Sequence, residues 1–464
     1  MKNNLLNQLR EGQPLSLQER IMLIIELSIP AMLAQVSSIV MQYIDASMVG
    51  QLGANDSASI GLVSTSTWLF GGVINAAVIG FTVQVAQSVG AEDMKTARNI
   101  MKQAFLIVVG IALFIALGGA LLSFPLPHLL GGAEEICRNA SRYFLVYALS
   151  LPFVALNNLA GGMLQSSGNM KVPSLLHVLM CGLDVLFNML LIFPKTNLFG
   201  ITIPGVGLGV TGAALGTALS QVVTAMLMLY FLLVRSPMLR LHKNEKFVFS
   251  KIHMKQAVSI AVPVGFESVV TSGAQVIITR IVSPLGTIAI AANSFAVTAE
   301  SLCYMPGYGI GAAATTLIGQ SIGAKRHDLT LSLGWLTTFL GMIVMSITGI
   351  LMYLMAPWVI GLLSPNAEIV KLGAEVLRIE ALAEPLFAAS IVASGVFRGA
   401  GDTFIPSCLN FFSMWAVRIP LSAILAPRLG LHGVWIGMCL ELCVRGTLFL
   451  IRLYKKKWLK KSLA

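Results

Sequence analysis

Six carboxyl groups stand where water is scarce. Asp45, Asp184, Glu267, Glu300, Glu380 and Glu384 each fall in an apolar run long enough to cross a bilayer. An acid at mid-bilayer costs on the order of 2.5–3.5 kcal/mol on insertion scales, so it persists where it has a partner or a task. Two of them have a setting suited to ion chemistry. Asp45 lies about four turns past Pro30, with Ser38 and Gln42 near the same face. Glu267 follows Pro263 by four residues, and Thr271 and Gln275 continue its stripe. Proline leaves a carbonyl without its helical donor, so such a helix can bend and bare backbone oxygen beside the acid. Carboxylate, hydroxyl and freed carbonyl together suit a proton or a hard cation such as Na⁺.

Other constellations are weaker. His177, Cys181, Asp184 and Asn188 fall at i, i+4, i+7 and i+11, one stripe of a helix. Their types suggest a metal site, but that needs a fourth ligand and a hydrated entry route; a polar stripe facing an internal cavity is the simpler assignment. Cys439 and Cys443 share a face and read as packing residues. Arg280, Arg378, Arg418 and Arg445 are available to neutralise acids. Glu380, two residues after Arg378, reads as structural or interfacial, and Glu441, four before Arg445, as an intrahelical pair. Gly207–Gly212 fits the dinucleotide pattern on paper, but a Pro- and Gly-rich connection precedes it and a membrane helix follows, in place of the βαβ unit that the pattern requires. No Walker A sequence is present, which excludes ATP as the energy source. His177 with Ser174 is too little for an enzyme's nucleophile and base.

The elements that must hold these residues are membrane helices. The chain is 56% hydrophobic and 11% charged, against about a quarter charged in soluble domains. Apolar runs lie near 21–49, 60–84, 104–124, 143–163, 172–193, 207–234, 256–282, 288–318, 333–356, 376–396, 404–426 and 431–453. That makes twelve spans, six per half, in an all-α polytopic membrane protein. The connections that carry Lys95, Arg98, Lys102, Lys171, Lys325, Arg326 and Arg398, both tails and the basic linker hold most of the cations. The opposite side has Arg138, Arg142, Lys195, Lys371 and Arg428. This places both termini in the cytoplasm. The net charge of +11 therefore reads as topology and lipid contact, not nucleic-acid binding. The first apolar run is too long for a signal peptide, and five of the six cysteines lie inside spans, which implies no disulfide framework.

The chain also repeats itself at one offset of 233 positions. Ala86–Ala91 (AQSVGA) returns as Gly319–Ala324 (GQSIGA), and Leu164–Gly168 as Phe397–Gly401. Pro30, Leu52–Gly53, Pro152, Gly162 and Pro173 return as Pro263, Leu285–Gly286, Pro385, Gly395 and Pro406. Six spans return each half to its starting side, so these are parallel repeats, as in duplicated transporters. The expected division is an N-lobe at 1–234, a cytoplasmic linker at 235–255 and a C-lobe at 256–464. The acids are not duplicated: Asp45, Asp184, Glu267, Glu300 and Glu384 fall opposite Ile278, Val417, Ala34, Thr67 and Leu151. Repeated glycines and prolines belong to the scaffold; one-sided acids belong to function.

With Pro30 through Asp45-Ala46-Ser47-Met48-Val49-Gly50, both Gln-Ser-(Val/Ile)-Gly-Ala boxes, Gln165–Asn169 and Phe397–Thr403, the chain resembles the multidrug and toxic compound extrusion (MATE) family over nearly its whole length. The resemblance implies two six-helix lobes forming a V, and alternating access driven by Na⁺ or H⁺ antiport in the cytoplasmic (inner) membrane. It implies lipophilic, often cationic small-molecule substrates, a monomer in the lipid bilayer, and no cofactor beyond the coupling ion. Asp45 matches the family's first-helix aspartate, and Thr217 a sixth-helix threonine that joins it. Asp184 and Asn188 stand where many members have Asn then Asp, and His177 is expected to line the same N-lobe site. Glu267 matches a seventh-helix glutamate. Phe387 stands where some members have its acidic partner, so Glu384 is the substitute, with Thr271, Gln275 and Glu300 completing the C-lobe set. Na⁺ would then sit at Asp45/Asp184 or at Glu267/Glu384. A lipid-linked oligosaccharide flippase shares the architecture but wants a cationic cavity, which these acids oppose. On this reading Asp45→Asn is expected to abolish ion-coupled transport while sparing membrane insertion. The check is transport by the well-expressed variant; full activity would refute the role.

Overall fold

The structure, a computed structural model, describes residues 4–198, 201–242 and 245–460. Its helices are α1 (Asn4–Arg10), α2 (Leu17–Gly50), α3 (Ala54–Gly90), α4 (Met94–Leu122), α5 (Pro125–Leu129), α6 (Glu134–Ser166), α7 (Lys171–Ile192) and α8 (Val210–Tyr230) in the first half. The second half has α9 (Lys251–Val282), α10 (Thr287–Gly323), α11 (His327–Leu363), α12 (Ala367–Ala381), α13 (Glu384–Gly399), α14 (Phe404–Phe412), α15 (Ile419–Leu429), α16 (Leu431–Tyr454) and α17 (Lys457–Lys460). A π-helical stretch, Ser413–Arg418, joins α14 to α15 into one span. The one sheet among the described residues is an antiparallel hairpin of β1 (Lys195–Leu198) and β2 (Ile201–Pro204) between α7 and α8.

Eleven of these helical stretches are long and apolar enough to cross a bilayer. The tenth span is divided: α12 and α13 are interrupted at Leu382 and Ala383, so neither piece qualifies alone. Counting that pair as one, the protein has twelve transmembrane helices in two six-helix lobes. Several run past their apolar stretches. At 37 residues each, α3 and α10 are about 55 Å long, against roughly 30 Å of hydrocarbon. Apolarity marks only the part in lipid, and the helix continues to the glycine of the Gln-Ser-(Val/Ile)-Gly box.

The duplication extends to helix boundaries. The limits of α3 shifted by 233 are those of α10, α4 and α11 start in register, and α6 maps onto the whole of α12 and α13. The two halves differ where a proline is handled differently. α6 runs unbroken through Pro152, whereas the matching Pro385 is the second residue of α13, just past the interruption.

The chain divides into two compact units. The first comprises Met1–Val36, Ala86–Glu92 and Val262–Ala464; the second comprises Ser37–Val85 and Asp93–Ala261. Within the first, the two Gln-Ser-(Val/Ile)-Gly boxes pack on each other reciprocally. A methyl group on Gly90 would strike the Gln320 carbonyl, and one on Gly323 the Gln87 carbonyl. Only glycine permits that approach, as at small-residue crossings of membrane helices generally. α1 docks at the same place. Leu9 is buried, and Arg10 donates through Nε and Nη2 to Gln320 Oε1 at 3.2 and 3.1 Å. At the other end of the chain, Trp458 is buried with its ring 5.9 Å from Phe397, and Arg452 pairs with buried Asp402.

Within the second unit, the linker is laid along the first turns of α4. Asn99 donates to the Val248 carbonyl (2.7 Å) and accepts from its amide (3.0 Å); Gln103 does the same with Ser250 (3.1 and 3.2 Å). The helical spacing of four thus meets the two-residue spacing of extended chain. Arg98 bonds Glu245 and the Met238 carbonyl (2.9 Å), and the same guanidinium holds the Glu245 carboxyl below the usual carboxylate range.

Replacing Gly90 or Gly323 with Val is expected to destabilise the purified protein by about 1–3 kcal/mol or more through overpacking. Gly110, which faces open space, is the control. Thermal unfolding measures both, and equal midpoints for the Gly323→Val and Gly110→Val proteins would refute the crossing's importance.

Candidate functional site

In the second unit α7 turns two faces to different surroundings. Leu175, Val178, Leu179 and Leu186 are exposed, as lipid-facing residues should be, while Asp184 and Asn188 are fully buried. The buried stripe meets α2 and α8. The Asn188 amide nitrogen donates to Asp45 Oδ1 at 2.8 Å and to Asp184 Oδ2 at 3.1 Å, one amide joining two carboxyl groups. Ser220 lies 3.5 Å from Asp184 Oδ1, although its shorter bond is to the Thr217 carbonyl at 2.8 Å. Higher on the stripe, the Cys181 thiol reaches the Ser37 carbonyl of α2 at 3.2 Å. Tyr143, on α6, lies within electrostatic reach of both aspartates.

The structure therefore brings Asp45, Asp184 and Asn188 together. Thr217 and His177 are less engaged. The Thr217 hydroxyl donates to Ala213 of its own helix at 3.2 Å, and His177 is half-buried with its Nδ1 enclosed and without a partner. Among the described residues no group of three or more His, Cys, Asp and Glu side chains is arranged to hold a metal, so the His177–Cys181–Asp184 stripe is not one. What the cluster offers is oxygen: two carboxyl groups and Asn188 Oδ1, which is buried without a donor. That set fits a shared proton or a hard cation, and two carboxylates this near cannot both stay charged without one. Ser220 and Tyr143 escaped the sequence reading; Ser220, three residues after Thr217 on α8, was findable by helical spacing.

In the first unit Glu267 sits against the eleventh span. It accepts from Asn410 Nδ2 at 2.7 Å and Ser407 Oγ at 3.1 Å, with Arg398 at 3.9 Å. Among the contacts of the described residues, none joins Glu267 directly to Glu384. Glu384 is fully buried at the start of α13 and faces Glu380 and Cys303 instead. Glu380 and Glu384 stand on either side of the interruption. Nor does Glu267 share a hydrogen bond with Thr271 or Gln275, which are half-buried and exposed. Its hydrogen-bond partners lie across on α14 and its nearby guanidinium on α13, a residue set that sequence spacing within one helix cannot reveal.

Glu380, expected to be structural or interfacial, is fully buried, which sets aside the interfacial alternative. Arg378 turns the other way, to the Tyr353 carbonyl (3.0 Å) and ring (5.4 Å). The expected Glu441–Arg445 pair forms at 3.1 Å, and Arg445 also lies 5.3 Å from the Phe387 ring centre. Glu300, buried on α10, has Arg418, Arg445, Glu441, Glu380 and Glu384 among its charged neighbours.

The MatE family model matches this chain twice, over residues 30–190 and 263–424. The two matches begin at Pro30 and Pro263, the repeat offset seen in the sequence. The chain belongs to the MATE family, whose members are transporters. It is 26% identical over 455 residues to a probable multidrug resistance protein NorM of Thermotoga maritima, covering 95% of this chain and 93% of the relative. It is 25% identical to the uncharacterized transporter YisQ of Bacillus subtilis, covering 90% and 91%. Among solved structures, a MATE protein in complex with MaL6 superposes with a TM-score of 0.89 at 22% identity, covering 98% of this chain and 99% of the other. A MOP superfamily transporter from Pyrococcus furiosus, whose report describes a binding pocket of reversed polarity, does so at 0.89 with 20% identity and 98% of both chains.

Gly216 of α8 packs against Asn188, where a methyl group would press into the side-chain amide. Gly216→Ala is expected to displace the bridging amide and lower transport at least tenfold, as small misplacements at a site do, with folding retained. Wild-type transport by this variant would show the amide's position to be unimportant.

Proposed function

We propose that this chain is a cation-coupled antiporter that exports lipophilic, cationic small molecules across the cytoplasmic membrane by alternating access. The observation that carries this reading is the Asn188 amide joining Asp45 to Asp184 away from lipid. A proton or Na⁺ neutralises the carboxyl pair; its departure leaves negative charge that must be compensated. Loading and unloading thus change the electrostatic state of the lobe, which is what coupling requires. The name of the Thermotoga relative, a probable multidrug resistance protein, supports drug export.

The surplus of buried acids disfavours an anionic lipid-linked headgroup as cargo. In this reading residues 1–234 and 256–464 are the lobes, 235–255 the cytoplasmic connection, and both termini are cytoplasmic. The protein works as a monomer in the bilayer, needs no cofactor besides H⁺ or Na⁺, and binds no nucleic acid. The C-lobe acids Glu267, Glu300 and Glu384 would contribute a second ion-sensitive group.

Efflux of ethidium from proteoliposomes, with Na⁺ and H⁺ gradients imposed separately, tests the proposal. Ethidium movement is expected to follow at least one gradient and to stop when that gradient collapses. Ethidium flux indifferent to both would overturn the antiport mechanism.

A further inference from the structure

The interruption of the tenth span places Glu380 at the end of α12 and Glu384 at the start of α13. Both are fully buried, and no hydrogen-bond partner of fixed donor geometry reaches any of their four carboxyl oxygens. The two carboxyl groups face each other. Around them stand Glu300, Cys303 and Tyr304 of α10, Arg418 at the end of the π-helical stretch, and Cys439 of α16; Glu441 and Arg445 of α16 neighbour Glu300 and Arg418 in turn. The backbone of α11 closes the remaining side, with Gly349 so near that an added methyl would lie 3.0 Å from the Glu384 side chain.

Charge counting shows what is missing. Glu300, Glu380, Glu384 and Glu441 are four acids against two guanidinium groups. Arg445 is engaged with Glu441, and an Arg418 nitrogen lies against Met438 sulfur at 2.8 Å. Among the described residues two negative charges have no countercharge although their side chains are buried, a state that membrane interiors do not sustain. The duplication supplies an internal comparison. In the first half the positions of Glu380 and Glu384 are held by Tyr147 and Leu151, and α6 runs straight through them. The interruption and the acids thus occur together, in one copy.

We propose that Glu380 and Glu384 form a proton-binding pair at the break in the tenth span, separate from the Asp45–Asp184 site. In the half-loaded state one proton lies between the two carboxyl groups as O–H···O⁻. The positive end of α13 favours the charge on Glu384, and the negative end of α12 favours the proton on Glu380. A hard cation wants six or so oxygen ligands; with thiols, a phenol and guanidinium groups as neighbours, this pair offers few beyond its own. The pair's part in a transport cycle rests on the antiport reading; the binding of the proton does not.

Infrared difference spectra of the purified full-length protein, between alkaline and acid buffer, read protonated carboxyl groups directly. Glu380→Gln and Glu384→Gln are each expected to remove the same component of the carboxylic-acid band, and the double variant to remove no more. Asp45→Asn should retain that component, and replacing choline chloride with NaCl should leave it in place. An unchanged band in both single variants, additive losses, or displacement of the band by Na⁺ would each overturn the proposal.

Should a variant fail to fold, labelling of the wild type with a hydrophobic carbodiimide replaces it, since this reagent adds to protonated carboxyls. Peptide mapping is expected to find one adduct per molecule, on Glu380 or Glu384 and favoured by acid; labelling of neither refutes the pair. Ethidium efflux that ignores both gradients while the band persists would sink the antiport reading and leave the proton pair standing.

Discussion

A carboxyl group removed from water must be given a countercharge, donors or a proton, and this requirement organises both units. Three solutions are visible. Glu267 has a full set: an amide, a hydroxyl and a nearby guanidinium. Asp45 and Asp184 share a single amide nitrogen, which supplies two hydrogen bonds but no charge. Glu380 and Glu384 have each other. These settings grade from permanently satisfied to dependent on an occupant. Groups at the satisfied end resemble structural pairs, where removing one partner leaves the other stranded. Groups at the dependent end are where an exchangeable ion has most to offer.

Duplication gives the scaffold on which these differences are drawn. The helix limits repeat at one interval, and so do the glycines that let backbones meet, Gly90 and Gly323 above all. Such contacts depend on backbone geometry and survive substitution of neighbouring side chains, so both copies keep them. Polar chemistry is under no such constraint. One copy concentrates it on the first, fifth and sixth spans, the other on the seventh, eighth and tenth to twelfth.

Much of this was legible beforehand. Twelve apolar runs and the 233-residue interval define the architecture because hydrocarbon thickness and backbone packing write directly into composition. Asp184 and Asn188 were legible as one stripe since helical periodicity fixes their common face, and Asp45 as their companion through family resemblance. The direct contacts of Glu267 and of Glu384 were not legible. Whether two helices bring given side chains together depends on their rotation and on interruptions such as Leu382–Ala383, and apolarity alone does not mark these. Pro385 carried a hint, but its counterpart Pro152 sits in an unbroken helix, so proline by itself could not announce the break. Ser407, Asn410 and Arg398, the true partners of Glu267, are ordinary residues until the helices are packed.

The connection laid along α4 has a further consequence. Polar, charged segments between membrane helices are usually where a chain tolerates cutting, tagging or insertion, because their backbone owes its hydrogen bonds to water. Here the amides and carbonyls of Val248 and Ser250 are bonded to side chains of Asn99 and Gln103, much as a strand is bonded to its neighbour. The segment behaves as secondary structure supplied by another helix's side chains. A fluorescent protein or epitope spliced in beside Val248 would break a ladder rather than lengthen a loop, so reporters belong elsewhere in the chain.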